Sequence, residues 1–268
     1  MPIQWAATVD GVFSLAVLIP SPPVLVPELC GGRPTVDGEH PAAQVPAVRE
    51  AVLAAGRTLA GETLRWTVAG VAPVGADGEF DYVDAVGTFR GYGADVRVAL
   101  TDSALDDGLP ADQELPLPVL IAGWLRGQVA PDATAEARLI AAGSPPRDCT
   151  GLGARLRRDL DAEPGPRGVL VVADGATTLS TKAPGYLDPR AAGAQEGIDR
   201  ALDAGDCAAL AALDTTLCAE LGVSGRAAYQ VLAGLFGANS RPSVETLYRA
   251  APFGVGYHVS VWRPEAGS

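Results

Sequence analysis

The sequence GVLVVA at residues 168–173 is an uninterrupted apolar run, which is typical of a strand buried on both faces of a sheet. The run FSLAVLI at residues 13–19 has the same character. Further strands are predicted at residues 65–72, 95–100, 137–142, 244–250 and 254–262. The last two are close in sequence and are predicted to form a hairpin, so the sheet is expected to be mixed.

Amphipathic segments alternate with these strands. Within residues 41–60 the apolar face comprises Val45, Val48, Val52, Ala55 and Leu59, spaced by three or four residues. Further helices are predicted at residues 150–161, 190–203, 206–221 and 224–236, with caps at Asp148 or Thr150, at Asp206 and at Ser224. The apolar residues 117–126 suit a helix or a strand, and a helix is favoured. In residues 206–221 the buried stripe is expected to comprise Leu210, Leu213, Leu217 and Leu221.

This alternation predicts an α/β fold, a single three-layer α/β/α domain whose central sheet is mixed and largely parallel. The chain has 268 residues, of which 48% are hydrophobic, so its core is large enough for one such domain. The domain is predicted to span residues 13–264. Residues 1–12 are interpreted as an N-terminal extension, and residues 265–268 as a tail.

The formal net charge of −12 argues against nucleic acid and anionic membranes as partners, because both carry negative charge. No apolar run reaches 18 residues, and the N-terminus lacks the basic flank of a signal peptide. The four cysteines form no CxxC motif, which favours a reduced, cytoplasmic protein. Cys207 and Cys218 are predicted to pack as small hydrophobic residues near one face of a helix.

Polar or proline-rich segments follow three of the predicted strands. They comprise residues 20–27, residues 73–78 and residues 174–182. Ligands of open α/β sheets bind beyond the carboxyl ends of the strands. The sequence therefore predicts that these three segments meet at one site.

Five segments of the chain resemble the LigB family, the class III extradiol ring-cleavage dioxygenases, and the related Memo-like proteins. They are LIPSPPVLVPEL (18–29), VAGVAPVG (68–75), VLVVADGATTLSTKAPGYLDP (169–189), GVSGRAAYQVLAGL (222–235) and APFGVGYHVSVW (251–262). They follow the family's order across most of residues 13–264, and the first is the most specific. The resemblance implies an oxidoreductase ancestry.

Members of that family hold Fe(II) with two histidines and a carboxylate, and use a further histidine as an acid–base group. In this chain the resemblance aligns Ser21 and Val74 with the two ligand histidines. It aligns Thr177 or Thr178 with the histidine of the third turn, and Ser224 with a cysteine of Memo-like relatives. Each position that the family uses for metal chemistry thus carries a different residue here.

A non-haem Fe(II) site with open positions requires imidazole and carboxylate ligands, and hydroxyl groups are weak substitutes. The chain has two histidines, His40 in a loop rich in Gly and Pro and His258 in the last predicted strand. They are too few for two ligands and a catalytic base. We therefore expect that the Fe(II) site and ring-cleavage activity are lost, and that no cofactor is bound.

The residues predicted to act chemically are Asp174 and His258. The predicted binding residues of the cleft are Ser21, Pro22, Val74, Thr177, Thr178, Lys182, Ser224 and Arg226. The alternative interpretation makes Asp174 and the threonines organisers of their own loop, because such side chains readily bond to nearby backbone N–H groups. For His258 the favoured interpretation is a buried strand histidine with a satisfied hydrogen bond, and for His40 a solvated loop residue.

Three hypotheses about function follow. The first is a LigB-like protein that has lost iron and keeps its cleft for a small molecule or a protein partner. The second is a metal-independent enzyme that uses Asp174 and His258. The third is a working dioxygenase with rearranged ligands, for which the same two residues are candidates. The family also contains homodimers, although this sequence identifies no interface.

Overall fold

The computed structural model describes residues 13–30 and 41–265, and its strands form one large sheet and one small sheet. The strands are β1 (Phe13–Ile19), β2 (Arg65–Val71), β3 (Glu79–Tyr82), β4 (Val86–Thr88), β5 (Arg97–Ala99), β6 (Thr134–Ile140), β7 (Arg167–Val172), β8 (Ser243–Ala250) and β9 (Tyr257–Arg263). The large sheet has the order β3-β6-β2-β7-β1-β9-β8. Its four strands β6, β2, β7 and β1 are parallel, and the other three are antiparallel to their neighbours.

Helices lie on both faces of this sheet. They are α1 (Val45–Glu62), α2 (Asp102–Asp106), α3 (Leu117–Val129), α4 (Pro146–Ala162), α5 (Ala191–Ala204), α6 (Cys207–Ala211), α7 (Thr215–Glu220) and α8 (Arg226–Phe236). The α/β fold with a mixed, largely parallel central sheet is therefore confirmed, and so is the hairpin of β8 and β9.

The central strand β1 shows why the sheet is covered on both faces. Its side chains alternate: Leu15, Val17 and Ile19 contribute to one apolar cluster, and Ala16 and Leu18 to the other. The first cluster includes residues of α1 and α3, and the second includes residues of α4, α5 and α8. The run at residues 13–19 is apolar at every position except Ser14 because each face is buried under a helical layer.

The segment predicted as one helix at residues 206–221 forms the two short helices α6 and α7. Asp214 causes the break, because its side chain accepts a hydrogen bond from the backbone N–H of Leu217 at 2.7 Å and caps α7. Leu217 is exposed, whereas Leu210 and Leu221 are fully buried, so the predicted four-leucine stripe was wrong in part. Cys207 and Cys218 lie in different helices, and both are buried.

Two predicted helix caps were also wrong. Helix α4 begins at Pro146, whose fixed φ and missing N–H suit the first helical turn, and Thr150 bonds to the Pro146 carbonyl instead of capping. Helix α8 begins after Gly225, without a side-chain cap from Ser224. The cap at Asp206 is confirmed by its hydrogen bond from the Ala209 N–H at 2.9 Å.

Helices α4 and α8 pack with their backbones unusually close together. A Cβ atom on Gly153 would overlap the carbonyl oxygen of Val231, and one on Gly234 would overlap the carbonyl oxygen of Thr150. Glycine is required at both positions because only its missing side chain permits this approach. The contact fixes α8 against α4, and so fixes the segment that leads into α8.

The length and hydropathy of the helices bear on membrane insertion. Among the residues described, no helix is both long enough and apolar enough to cross a bilayer. The longest helix described, α1, has 18 residues and carries four charged side chains outside its apolar face, Arg49, Glu50, Arg57 and Glu62.

Candidate functional site

The carboxyl ends of β1, β2 and β7 open into a cleft of about 450 Å³. Its apolar wall includes Val71, Pro73, Leu117, Pro118, Val172 and Val223, and the fully exposed Val74 lies at its rim. Its polar side chains are those of Ser21, Asp174, Thr215, Cys218, Ser224 and Arg226. The three strand-end segments predicted to meet at one site each contribute to this lining. Sequence reasoning missed Thr215 and Cys218, which come from α7, and Leu117 and Pro118, which come from α3.

Asp174 and Ser21 form the polar pair of the cleft. The Ser21 backbone N–H donates to Asp174 Oδ1 at 2.9 Å, and the Ser21 hydroxyl donates to Oδ2 at 2.5 Å. Burial raises the pKa of the Asp174 carboxyl, and the two hydrogen bonds from Ser21 oppose that rise. Asp174 is thus a carboxyl group whose proton is held more tightly than in water.

Two buried phenols lie near this carboxyl group. Burial raises the pKa of Tyr229 and of Tyr257, and the negative charge of Asp174 raises both further. The Tyr229 hydroxyl is buried without a hydrogen-bond partner among the residues that the structure describes. The polar groups near Asp174 thus include the hydroxyls of Tyr229 and Tyr257 as well as that of Ser21. Neither tyrosine was identified from the sequence.

Hydrogen bonds of its backbone hold the loop that carries Asp174. The N–H of Gly225 donates to the Asp174 carbonyl at 2.8 Å, and the N–H of Gly175 donates to the Gly256 carbonyl at 2.8 Å. The Ala176 N–H donates to Oε1 of Gln195 at 2.8 Å. The start of α8, the approach to β9 and helix α5 thus fix the position of the carboxyl group.

Gln195 was not identified from the sequence, although it interrupts an apolar helix face. It lies four residues after Ala191 and three before Ile198, both buried. A Cβ atom on Gly175 or on Gly256 would overlap the Gln195 carboxamide, which therefore fits between two glycine backbones. A polar residue in an otherwise apolar helix stripe was the signal that could have revealed it.

Arg226 lines the cleft, yet its hydrogen bonds are made within the protein. It is 4% exposed. Its guanidinium donates to the carbonyls of Ala142 and Ser144, and to Oε1 of Gln230 at 2.8 Å. These contacts anchor the first turn of α8 to the loop after β6. Ser224, which precedes it, lines the same cleft.

Four predicted binding residues do not line the cleft. The Thr178 hydroxyl donates to the Leu221 carbonyl at 2.9 Å, and the Thr177 N–H donates to the same carbonyl at 3.2 Å. Lys182 is exposed, and Pro22 is buried outside the lining. The prediction for the threonines was wrong because they tie their own loop to the segment before α8. The alternative interpretation placed these hydrogen bonds on nearby backbone N–H groups, whereas Thr178 donates to a carbonyl 43 residues along the chain.

His258 also lies outside the cleft. The ring is 1% exposed, and its Nε2 lies 3.0 Å from Oδ1 of Asp203 on α5. Because side chains alternate along β9, His258 shares the face of Ser260 and Trp262, which form a hydrogen bond of 2.9 Å. The predicted pairing of Asp174 with His258 was therefore wrong in geometry. His40 lies outside the described residues.

Burial lowers the pKa of His258, although the hydrogen bond to Asp203 and the charges of Asp199 and Asp203 oppose this. Nδ1 of His258 is buried and has no hydrogen-bond partner among the residues described. The favoured interpretation of a satisfied strand histidine thus holds for one ring nitrogen. The neutral ring, with its proton on Nε2, suits this environment.

The donor groups of the cleft do not fit an Fe(II) centre. They comprise the carboxylate of Asp174, the thiol of Cys218 and the hydroxyls of Ser21, Thr215 and Ser224, together with the cationic Arg226. No histidine of the described part of the chain lines the cleft, whereas non-haem Fe(II) sites of this type require imidazole. In residues 13–30 and 41–265, no group of three His, Cys, Asp or Glu side chains could hold a metal ion.

Comparisons with known proteins identify no family for this chain. No family model matches the sequence, and no curated protein matches it. Among solved structures, the chain is similar to an uncharacterized protein from Escherichia coli, with a TM-score of 0.49 and 12% sequence identity. The alignment covers 93% of this chain and 99% of that chain.

Proposed function

We propose that this chain is a LigB-like protein that has lost the Fe(II) site and ring-cleavage activity and uses the remaining cleft to bind a small molecule. The observation that carries this proposal is the convergence of Ser21, Val74 and Asp174 on one cleft. They come from three separate strand ends, and the resemblance aligns two of them, Ser21 and Val74, with the ligand histidines of the family. The residues now found there cannot supply a facial triad of ligands.

The shape and chemistry of the cleft support a small-molecule ligand. Its volume of about 450 Å³ falls within the range of roughly 300–1,000 Å³ for such sites. Apolar side chains form most of the wall, and the pair of Ser21 and Asp174 supplies a fixed polar contact. A buried carboxyl group without a positive neighbour destabilises a fold, which is a sign of a functional role.

Iron binding provides the direct test of the lost metal site. The purified protein is incubated anaerobically with Fe(II), passed through a desalting column, and analysed for iron and for catechol turnover. We expect less than stoichiometric iron and no ring cleavage. Stoichiometric iron that survives desalting, together with turnover of a catechol, would contradict the proposal.

A screen of ligands tests the binding role separately. Small molecules of varied charge are added to the wild-type protein and to Asp174→Asn, and the shift of the melting temperature is recorded. A ligand of the cleft is expected to shift the wild type and to shift the variant less. Asp132→Asn is the matched control. This exposed residue lies just before β6, at the amino ends of the parallel strands, whereas the cleft lies at their carboxyl ends.

The second candidate is a metal-independent reaction in which Asp174 is the acid–base group. The raised pKa of its carboxyl favours this role, because a general acid or base acts best when its pKa is near the working pH. His258 is not part of this candidate, since its ring is bound to Asp203. Once a substrate is known, full turnover by Asp174→Asn would exclude the reaction.

We further propose a cytoplasmic location, in which the thiols stay reduced. The support is that the four cysteines form no disulfide among the described residues, and three of them are buried. The net charge of −12 supports a partner other than nucleic acid or an anionic membrane. A protein partner and a homodimer remain family-based expectations. Size-exclusion chromatography with light scattering tests the second.

A further inference from the structure

Asp174 is the carboxyl group that the cleft presents without a compensating positive charge. Among the residues described, no Lys, Arg or His nitrogen lies within 4.0 Å of its oxygens. Its hydrogen bonds come from Ser21 alone, one to each oxygen. Each carboxylate oxygen therefore keeps the capacity to accept a further hydrogen bond.

The cation that shares the cleft does not neutralise this carboxyl group. The Arg226 guanidinium is directed to the carbonyls of Ala142 and Ser144, and its Nη1 also donates to Gln230. Burial and the hydrogen bonds from Ser21 account for the shift of the Asp174 pKa, and no positive side chain contributes. When Asp174 is ionised, its charge thus has no positive partner among the residues described.

A buried carboxylate without a counter-charge is unfavourable, because the solvation that it loses is not replaced. A bound cation with N–H groups removes that penalty, and charge-assisted hydrogen bonds are stronger than neutral ones. The apolar wall formed by Val71, Pro73, Leu117 and Val172 suits an aliphatic or aromatic body. We infer that the ligand of this cleft is a small organic cation, an amine or amidine with an apolar body, whose N–H groups bind the Asp174 carboxylate.

This inference rests on the proposed small-molecule function and adds the class of ligand. Three probes of nearly equal shape distinguish a failure of the cation inference from a failure of the binding role. They are benzylammonium, benzyl alcohol and benzoate. Their affinities are measured by protein chemical-shift titration. We expect benzylammonium to bind at least about tenfold more tightly than benzyl alcohol, the gain typical of a hydrogen bond to a charged group. Benzoate is expected to bind most weakly.

Two variants assign this preference to the carboxylate. Asp174→Asn keeps the size of the side chain and is expected to abolish the tenfold preference, whereas Asp132→Asn, which changes the net charge equally, should retain it. Ser21→Ala removes one of the hydrogen bonds that oppose the rise of the Asp174 pKa, so the preference for the cation should appear only at a higher pH than in the wild type. Ser21→Ala also provides a test should Asp174→Asn fail to fold.

The pH dependence supplies a second readout. Because the ammonium group binds the carboxylate, its affinity should increase as the pH rises through the folded-state pKa of Asp174, while the affinity of benzyl alcohol stays flat. Equal or tighter binding of benzyl alcohol or benzoate would overturn the cation inference and leave the cleft as a binding site. If none of the probes binds the wild type saturably, both the inference and the binding role fail.

Discussion

The Asp174 carboxyl has a stability consequence that is separate from ligand binding. Its folded-state pKa lies above the ordinary carboxyl value of 3.8, so the folded protein holds the proton more tightly than the unfolded chain. The stability gained in this way is present at acid pH and is lost as the pH rises through the folded-state pKa. Above that pKa the wild type carries a partly buried charge that an asparagine would lack.

We predict that Asp174→Asn raises the free energy of unfolding at neutral pH by about 0.5–2 kcal/mol, the usual gain when a functional liability is removed. Urea denaturation at several pH values measures it, and the difference from the wild type should shrink towards acid pH. The exposed control Asp132→Asn should show no such trend. A loss of stability at neutral pH would indicate that the carboxylate is compensated by a group near the cleft.

His258 should make the protein sensitive to acid. Its folded-state pKa lies below the ordinary value of 6.5, because burial disfavours the charged ring more than Asp199 and Asp203 favour it, and Arg249 on β8 disfavours it further. The stabilising contribution of the neutral ring is complete above 6.5 and is lost as the pH falls towards the folded-state pKa. Protonation would also place an unpaired donor at the buried Nδ1.

We predict that below pH 6.5 the wild type loses up to ~1.4 kcal/mol per pH unit more than His258→Gln, whose side chain does not titrate. At neutral pH the variant should be less stable by ~1–3 kcal/mol, since a buried, hydrogen-bonded ring is replaced. Denaturation curves from neutral to mildly acid pH measure both differences. Parallel pH profiles of the two proteins would contradict the assignment.

Among helical elements, the close contact between α4 and α8 at Gly153 and Gly234 is the most sensitive to added volume. We predict that Gly153→Ala destabilises the protein by about 1–3 kcal/mol or more, because the new methyl group meets backbone of α8 rather than a movable side chain. Thermal unfolding measures the loss. The matched control is Gly127→Ala in α3, where a Cβ atom meets nothing within 4 Å, and it should be neutral or stabilising.

The Gln195 side chain joins α5 to the loop of Asp174, because its Oε1 accepts a hydrogen bond from the Ala176 N–H. Replacing Gln195 by methionine keeps most of its volume and leaves the buried Ala176 N–H without its acceptor. We predict a loss of ~1–3 kcal/mol in unfolding free energy, and weaker binding of any cleft ligand because the loop is less well fixed. Glu196→Met, at the exposed neighbouring position, should leave both quantities near wild type. Calorimetric binding and unfolding measurements check both.

The elements that sequence reasoning predicted correctly are those with long apolar runs or a strong helical period. The strands at residues 13–19 and 168–173 were recognisable because burial on both faces leaves no polar position. Residues 206–221 misled the prediction because α6 and α7 together keep an apolar period through a turn. The break depends on Asp214 as a cap, and an aspartate on the solvent-facing side of one continuous helix would give the same sequence pattern.

The whole molecule carries a formal net charge of −12, which opposes the compact state through self-repulsion. We predict that raising the ionic strength from low to physiological values increases the melting temperature by about 2–4 °C, or ~1 kcal/mol for a domain of this size. The gain should diminish as the carboxylates are protonated at acid pH. A fall in melting temperature with salt would show that the surface ion pairs outweigh the repulsion.

The arrangement of the site was predictable only in part from the sequence. That Ser21, Val74 and Asp174 meet follows from the rule that parallel strands end at one edge. Which side chains of a loop face the cleft depends on its hydrogen bonds, so Thr177 and Thr178 were misplaced. The contributions of Thr215 and Cys218 depend on how α7 packs, and no local pattern reveals that.

The sheet order places the strands beneath the cleft in the middle of the molecule. β2, β7 and β1 are each paired on both sides, whereas β3 and β8 are the edges of the sheet. The amide protons of β2, β7 and β1 should therefore exchange with deuterated water only on global unfolding, while those of the edge strands exchange through local fraying. A ligand in the cleft would rest on a base that stays fixed, and adaptation to its shape would be left to the short helices and loops above.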